Sequence, residues 1–160
     1  MKKLFFLSLL TSLLIPVHSA WAITSATGTQ GQTISVQSTS ARSGQNLQVK
    51  GSGFDETVGI YLAFCVIPKK GLPPTPCGGG INKLGKGDDS YWISSNPPPY
   101  GEGLAIPFAA GGRFSESVTI SKKIGSFDCT KVKCAITVRS DHLHEGDRTH
   151  DLFIPIRIKK

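Results

Sequence analysis

The residues best suited to chemistry are crowded into one short segment. Ser140-Asp141-His142-Leu143-His144-Glu145-Gly146-Asp147-Arg148-Thr149-His150-Asp151 holds three of the four histidines and four acids. His142 and His144, set two apart, would share one face of a strand, a spacing that suits Zn or Cu. His150 or a carboxylate could complete such a site. The competing expectation is a solvated loop between two strands, turned by Asp and Gly, with Asp147, Arg148 and Asp151 pairing among themselves. No spacing here reproduces a known metal motif.

Four cysteines form the second set: Cys65, Cys77, Cys129 and Cys134. The spacings C-x11-C and C-x4-C lack the C-x-x-C of redox and zinc sites, so a structural disulfide role is expected. Four cysteines allow three connectivities. Catalytic signatures are missing: there is no G-x-S-x-G and no H-E-x-x-H. Asp88-Asp89 lies in G-K-G-D-D-S, which reads as a turn and lacks P-loop spacing. The chain is expected not to be an enzyme and to need no cofactor.

Residues 1–22 read as a signal peptide. Lys2 and Lys3 precede an apolar run from Leu4 to Ile15, then Pro16, then the small-residue site Ala20-Trp21-Ala22. The run is shorter than the ~20 residues a spanning helix needs, and no second apolar segment follows. The expectation is a secreted or periplasmic protein with no transmembrane segment after signal removal, in a compartment where disulfides persist. Residues 23–160 then form one domain carrying 16 basic and 11 acidic residues, a net charge of +5. The basic residues are scattered along the chain, so nucleic acid is not an expected partner, while weak attraction to anionic envelope polymers or lipids is allowed.

The elements that must position these residues are strands. Thr33–Gln37, Asn46–Lys50 and Phe114–Ile120 alternate apolar and polar residues. Val58–Ile67 is longer and more apolar, as for a strand buried on both faces. Ser90–Ser94, Val132–Val138 and Leu152–Ile158 complete a set of about seven, with Pro155 marking an edge or a bulge. No window has a convincing helical period. The expected fold class is all-β: an immunoglobulin-like antiparallel β-sandwich. Gly51-Ser52-Gly53-Phe54 ends one strand, with Phe54 placed to plug the end of the sandwich. From Pro68 to Gly112 the chain is rich in Pro and Gly and reads as an ordered flap.

Two segments resemble the neocarzinostatin family, the apoproteins of enediyne chromophores. One is L-Q-V-K-G-S-G-F with the strand ending in Cys65; the other is G-S-F-D-C-T-K-V-K-C followed by A-I-T-V-R-S-D. Locality and this resemblance together select the pairing Cys65–Cys77 and Cys129–Cys134. The resemblance implies a seven-stranded sandwich, a ribbon closed by the first disulfide, and a ligand cleft between them. This chain departs from the family in a short loop before Cys129, a longer segment after Cys77, and Ile67 where the family has an aromatic residue. The enediyne itself is therefore not carried over.

Apolar and aromatic residues near the flap are the candidate ligand contacts: Phe64, Ile67, Tyr91, Trp92, Tyr100 and Phe108. The leading expectation is an exported, non-enzymatic carrier of a small hydrophobic molecule. The alternatives are a cell-envelope or adhesion module that binds protein or polysaccharide, and a metal-binding protein using His142, His144 and His150.

Overall fold

The computed structural model describes residues 23–79 and 90–159. The signal peptide expected over 1–22 and the Asp88-Asp89 turn lie outside the described residues. Twelve strands occur among those described: β1 Thr24–Thr27, β2 Thr33–Val36, β3 Ser40–Ala41, β4 Asn46–Ser52, β5 Ile60–Val66 and β6 Ser90–Ile93, then β7 Phe114–Thr119, β8 Lys123–Ile124, β9 Phe127–Asp128, β10 Cys134–Ser140, β11 Leu152–Pro155 and β12 Arg157–Ile158.

Eight of them build two four-stranded antiparallel sheets, β1-β2-β4-β7 and β11-β10-β5-β6. The alternation seen in the sequence decides which side chains face inward. Ile34, Val36, Leu47, Val49 and Val118 from the first sheet meet Ile60, Leu62, Phe64, Ile93, Ile136, Val138 and Ile154 from the second. All are buried, and this single layer is the main apolar stabilisation of the fold. The fold class is the expected one.

Three local features differ from the expected strand set. The sequence offers no apolar signal for β1, which is mostly exposed and is held by its hairpin with β2. The run Leu152–Ile158 is split in two. β11 pairs with β10 at the sheet edge, whereas β12 pairs in parallel with β3. Pro155, with no N–H to donate, sits at the end of the edge strand where the chain departs. The strand expected over Val132–Val138 runs from Cys134 to Ser140 instead, because residues 129–134 are closed into a turn by a disulfide.

Both disulfides have the expected partners: Cys65–Cys77 and Cys129–Cys134. The first does more than tie a flap. Cys77 lies directly across from Cys65, the Val66 N–H donates to Pro76 O at 3.0 Å, and the Gly78 N–H donates to Phe64 O at 2.7 Å. Residues 76–78 therefore extend the sheet beside the second half of β5, while β6 covers the first half. The Thr75–Pro76 peptide is cis.

The strand ends define two poles. One gathers the turns 28–32, 53–59, 94–113 and 141–151; the other gathers 37–45, 67–75, 120–133 and 155–159. At the first pole Phe54 is buried between Phe108 and Phe114, with ring centroids at 6.1 and 5.5 Å. The Phe114 ring lies over Gly51, where a Cβ would overlap it.

Candidate functional site

Side chains at alternate positions of β5, β6 and β10 point away from the core. Tyr61 pairs across the sheet with both Trp92 and Arg139, so all three stand on the outer face. Further along that face the residues are small and buried: Ala63, Cys65, Ala135 and Thr137. The result is an aromatic group at one end of a sheet face whose remaining side chains are short and covered.

Two loops complete the group. After β6, Pro97-Pro98-Pro99 leads into a 3-10 turn over Pro99–Gly101, which carries Tyr100 over the sheet. Gly101 rests against the Trp92 indole so closely that a Cβ there would overlap the ring. From the other side, the loop after β10 brings His142. Trp92 lies 6.5 Å from the Tyr100 ring in a stacked arrangement and 5.0 Å from the His142 ring, edge-on. Tyr61 lies 6.3 Å from Trp92 and 6.0 Å from His142, and the Arg139 guanidinium sits 5.3 Å from the Tyr61 ring centre.

His142 joins the two tyrosines. Its Nδ1 is hydrogen-bonded to the Tyr61 hydroxyl and its Nε2 to the Tyr100 hydroxyl at 2.8 Å. A neutral imidazole donates from one nitrogen and accepts at the other, so one phenol donates to the ring and the other accepts from it. Burial, then the nearby Asp141 carboxylate, hold the Tyr61 phenol above its usual pKa, so it remains protonated.

Asp141 is the fixed point beneath this arrangement. It is fully buried; Oδ2 accepts from Trp92 Nε1 at 3.0 Å, and Oδ1 accepts from the Leu143 N–H at 3.0 Å. His144 Nδ1 lies 3.3 Å from the same oxygen. Gly59 leaves the space, since a Cβ there would overlap the carboxylate.

The six residues expected to contact a ligand are not brought together. Phe64 is fully buried between the sheets, and Phe108 is buried against Phe54. Tyr91 is buried with its hydroxyl donating to Ser117 O at 2.7 Å. Ile67 is half-buried past the end of β5, at the other pole. Only Trp92 and Tyr100 stand on one surface, joined there by Tyr61 and His142. Strand parity separates Tyr61 from Phe64 and Trp92 from Tyr91, and that was the signal available for the outer pair.

The three histidines likewise go to three places. Residues 141–151 are successive turns rather than a strand, so His142 and His144 do not share a strand face. His142 joins the aromatic group, His144 stays with Asp141, and His150 is buried. No cluster of three His, Cys, Asp or Glu among the described residues is arranged to hold a metal ion.

His150 Nδ1 lies 3.0 Å from Asp147 Oδ2 and 3.2 Å from the Ser140 hydroxyl. This places a Ser, a His and an Asp together, but not as a nucleophilic relay. In such a relay the serine and the acid use opposite imidazole nitrogens; here both meet Nδ1, and Ser140 is fully buried. The group anchors the loop. The neighbouring Gln32 side chain, also buried, donates to Thr149 O at 2.7 Å and ties the β1–β2 turn to it. Arg148 pairs with Asp151 at 3.2 Å.

A two-sheet antiparallel sandwich with one disulfide across a sheet-edge ribbon and a second closing a five-residue step is a neocarzinostatin-like fold. The chain is similar to the solved structure of macromomycin, a neocarzinostatin-family apoprotein, with a TM-score of 0.51 and 14% identity over 80% of this chain and 99% of that one. No family model and no curated protein matches the sequence.

Proposed function

We propose that the protein is an exported, non-enzymatic binding protein whose ligand is a small, flat, largely apolar molecule. It seats against Trp92 and Tyr100 on the outer face of the second sheet. The observation that carries this reading is the aromatic group itself. Tyr61, Trp92, Tyr100 and His142 come from three separate segments, yet they converge at one end of the second sheet's outer face, beside the small, buried Ala63, Ala135 and Thr137. Tyr100 is 62% exposed, an arrangement that leaves an aromatic surface open to a ligand. The fold shared with macromomycin supports a binding role, and two disulfides support an oxidising compartment, in keeping with the signal peptide read over 1–22.

Native mass spectrometry of protein taken from the producing cell is the first test, and a retained small-molecule mass is the expected result. Titration of the purified protein with a planar apolar dye, followed by Trp92 fluorescence, is the second. Repeated ligand-free spectra together with no response to the dye would dismiss the carrier reading.

A further inference from the structure

The cations that look scattered along the chain are gathered by the fold. At the pole that carries Cys129–Cys134, the loop 37–45 presents Arg42, the loop after β5 presents Lys69 and Lys70, and the tail presents Arg157 and Lys159. The segment 120–133 adds Lys122, Lys123, Lys131 and Lys133. All nine are exposed, and none is in a salt bridge among the described residues. Asp128 is the one described acid at this pole. Among the described residues the opposite pole is the reverse: Asp55, Glu56, Glu102, Glu145, Asp147 and Asp151 stand with Arg113, Arg139 and Arg148.

The segments of the basic pole are joined to one another. The Ile67 N–H donates to Lys133 O at 2.9 Å, the Arg157 N–H to Thr39 O at 2.8 Å, and the Lys159 N–H to Ala41 O at 2.8 Å. An open cleft of about 630 Å³ runs between them, lined in part by Val132, Lys133, Ile156 and Arg157. Three of the exposed large apolar side chains stand among the cations: Leu72 at 55% exposure, Phe127 at 40% and Val132 at 36%. Leu72 and Val132 are on turns, Phe127 opens the short strand β9, and the Val132 turn is clamped by the second disulfide.

We infer that this pole docks on an anionic lipid bilayer. Clustered lysines gain from the negative potential of such a surface, and apolar side chains among them gain by leaving water for the acyl boundary. A nucleic acid would reward the charge but not Leu72 and Val132, which cannot stack on bases. Docking by this pole leaves Trp92 and Tyr100 at the far end, free of the membrane.

The test is flotation of the purified, disulfide-intact protein with vesicles of phosphatidylcholine alone, or of phosphatidylcholine and phosphatidylglycerol in equal parts. Binding is expected to the anionic vesicles only, falling as salt rises. Each cation near such a surface is worth roughly fivefold in partitioning, so Lys131→Ala with Lys133→Ala is expected to weaken binding at least tenfold. Leu72→Ser with Val132→Ser is expected to weaken it severalfold without loss of the near-UV signal of the folded state. The inference is overturned by no flotation at low salt, or by flotation indifferent to the serine pair. It is equally overturned by head-to-tail self-association of opposite poles with no vesicle binding.

Discussion

The indole N–H of Trp92 donates to the buried carboxylate of Asp141 at 3.0 Å. That bond links β6 to the loop after β10 across the mouth of the aromatic group. Replacing Asp141 by Ala leaves the Trp92 and Leu143 N–H groups without their acceptor. The expected cost is about 3 kcal/mol in urea unfolding, with a red shift of Trp92 emission in the native state. An unshifted spectrum would show that the bond does not hold the indole in place.

Gly59→Ala tests the same spot from the residue that leads into β5. A methyl group there overlaps the Asp141 carboxylate, so it must displace the anchor. A loss of about 1–3 kcal/mol is expected, by overpacking rather than by helix or strand preference.

Tyr100→Phe and Tyr100→Ala separate stacking from hydrogen bonding. The Phe variant loses only the bond to His142 and should keep most of the affinity for a planar dye. The Ala variant should lose about 1 kcal/mol of binding, the usual worth of an aromatic pair. Stability should barely change in either, because Tyr100 is largely exposed. Equal affinities in all three proteins would remove Tyr100 from the binding surface.

Acid should loosen the 141–151 loop through Asp147. Partial burial pushes its carboxyl up, but the Thr149 hydroxyl and N–H, then His150, pull it further down, to about 2. A carboxyl depressed in the folded state gives stability that is complete above its unfolded pKa near 4 and is lost as pH falls through about 2. The contribution is ~1–2 kcal/mol after allowing for its partial exposure. Asp147→Asn should therefore be less stable at neutral pH, with a flatter decline between pH 4 and 2 when unfolding is followed by circular dichroism. Parallel curves for the two proteins would contradict this.

Removing each disulfide by paired Cys→Ser changes should have unequal effects. The chain-entropy estimate is about 3 kcal/mol for the Cys65–Cys77 loop and about 2 kcal/mol for the tighter Cys129–Cys134 loop. The Cys65 pair is also expected to disturb dye binding, since residues 76–78 lie along the edge of β5. Urea midpoints and dye titrations of the two variants would check both points.

The fold was legible where side chains alternate. β2, β4, β5 and β7 bury what their parity dictates, and Phe54 closes the end of the core as the G-S-G-F turn suggests. What depends on distant loops was not legible. The partnership of His142 with Tyr61 and Tyr100 joins residues about 40 and 80 positions apart, with no local spacing to announce it. The same holds for the basic pole. Lysines far apart in the chain sit on segments at one end of the main strands, and only the topology shows that these segments are neighbours. β1 was invisible because a polar edge strand owes its shape to its hairpin partner rather than to its own pattern.

The split of the last strand run has a consequence in time. β12 closes against β3, so residues from near the two ends of the described chain must meet before this two-stranded ribbon exists. Such a distant pairing is slow to form, because its loop entropy is met before any contact rewards it. A chain released N-terminus first therefore keeps this latch open until Arg157 and Ile158 have emerged.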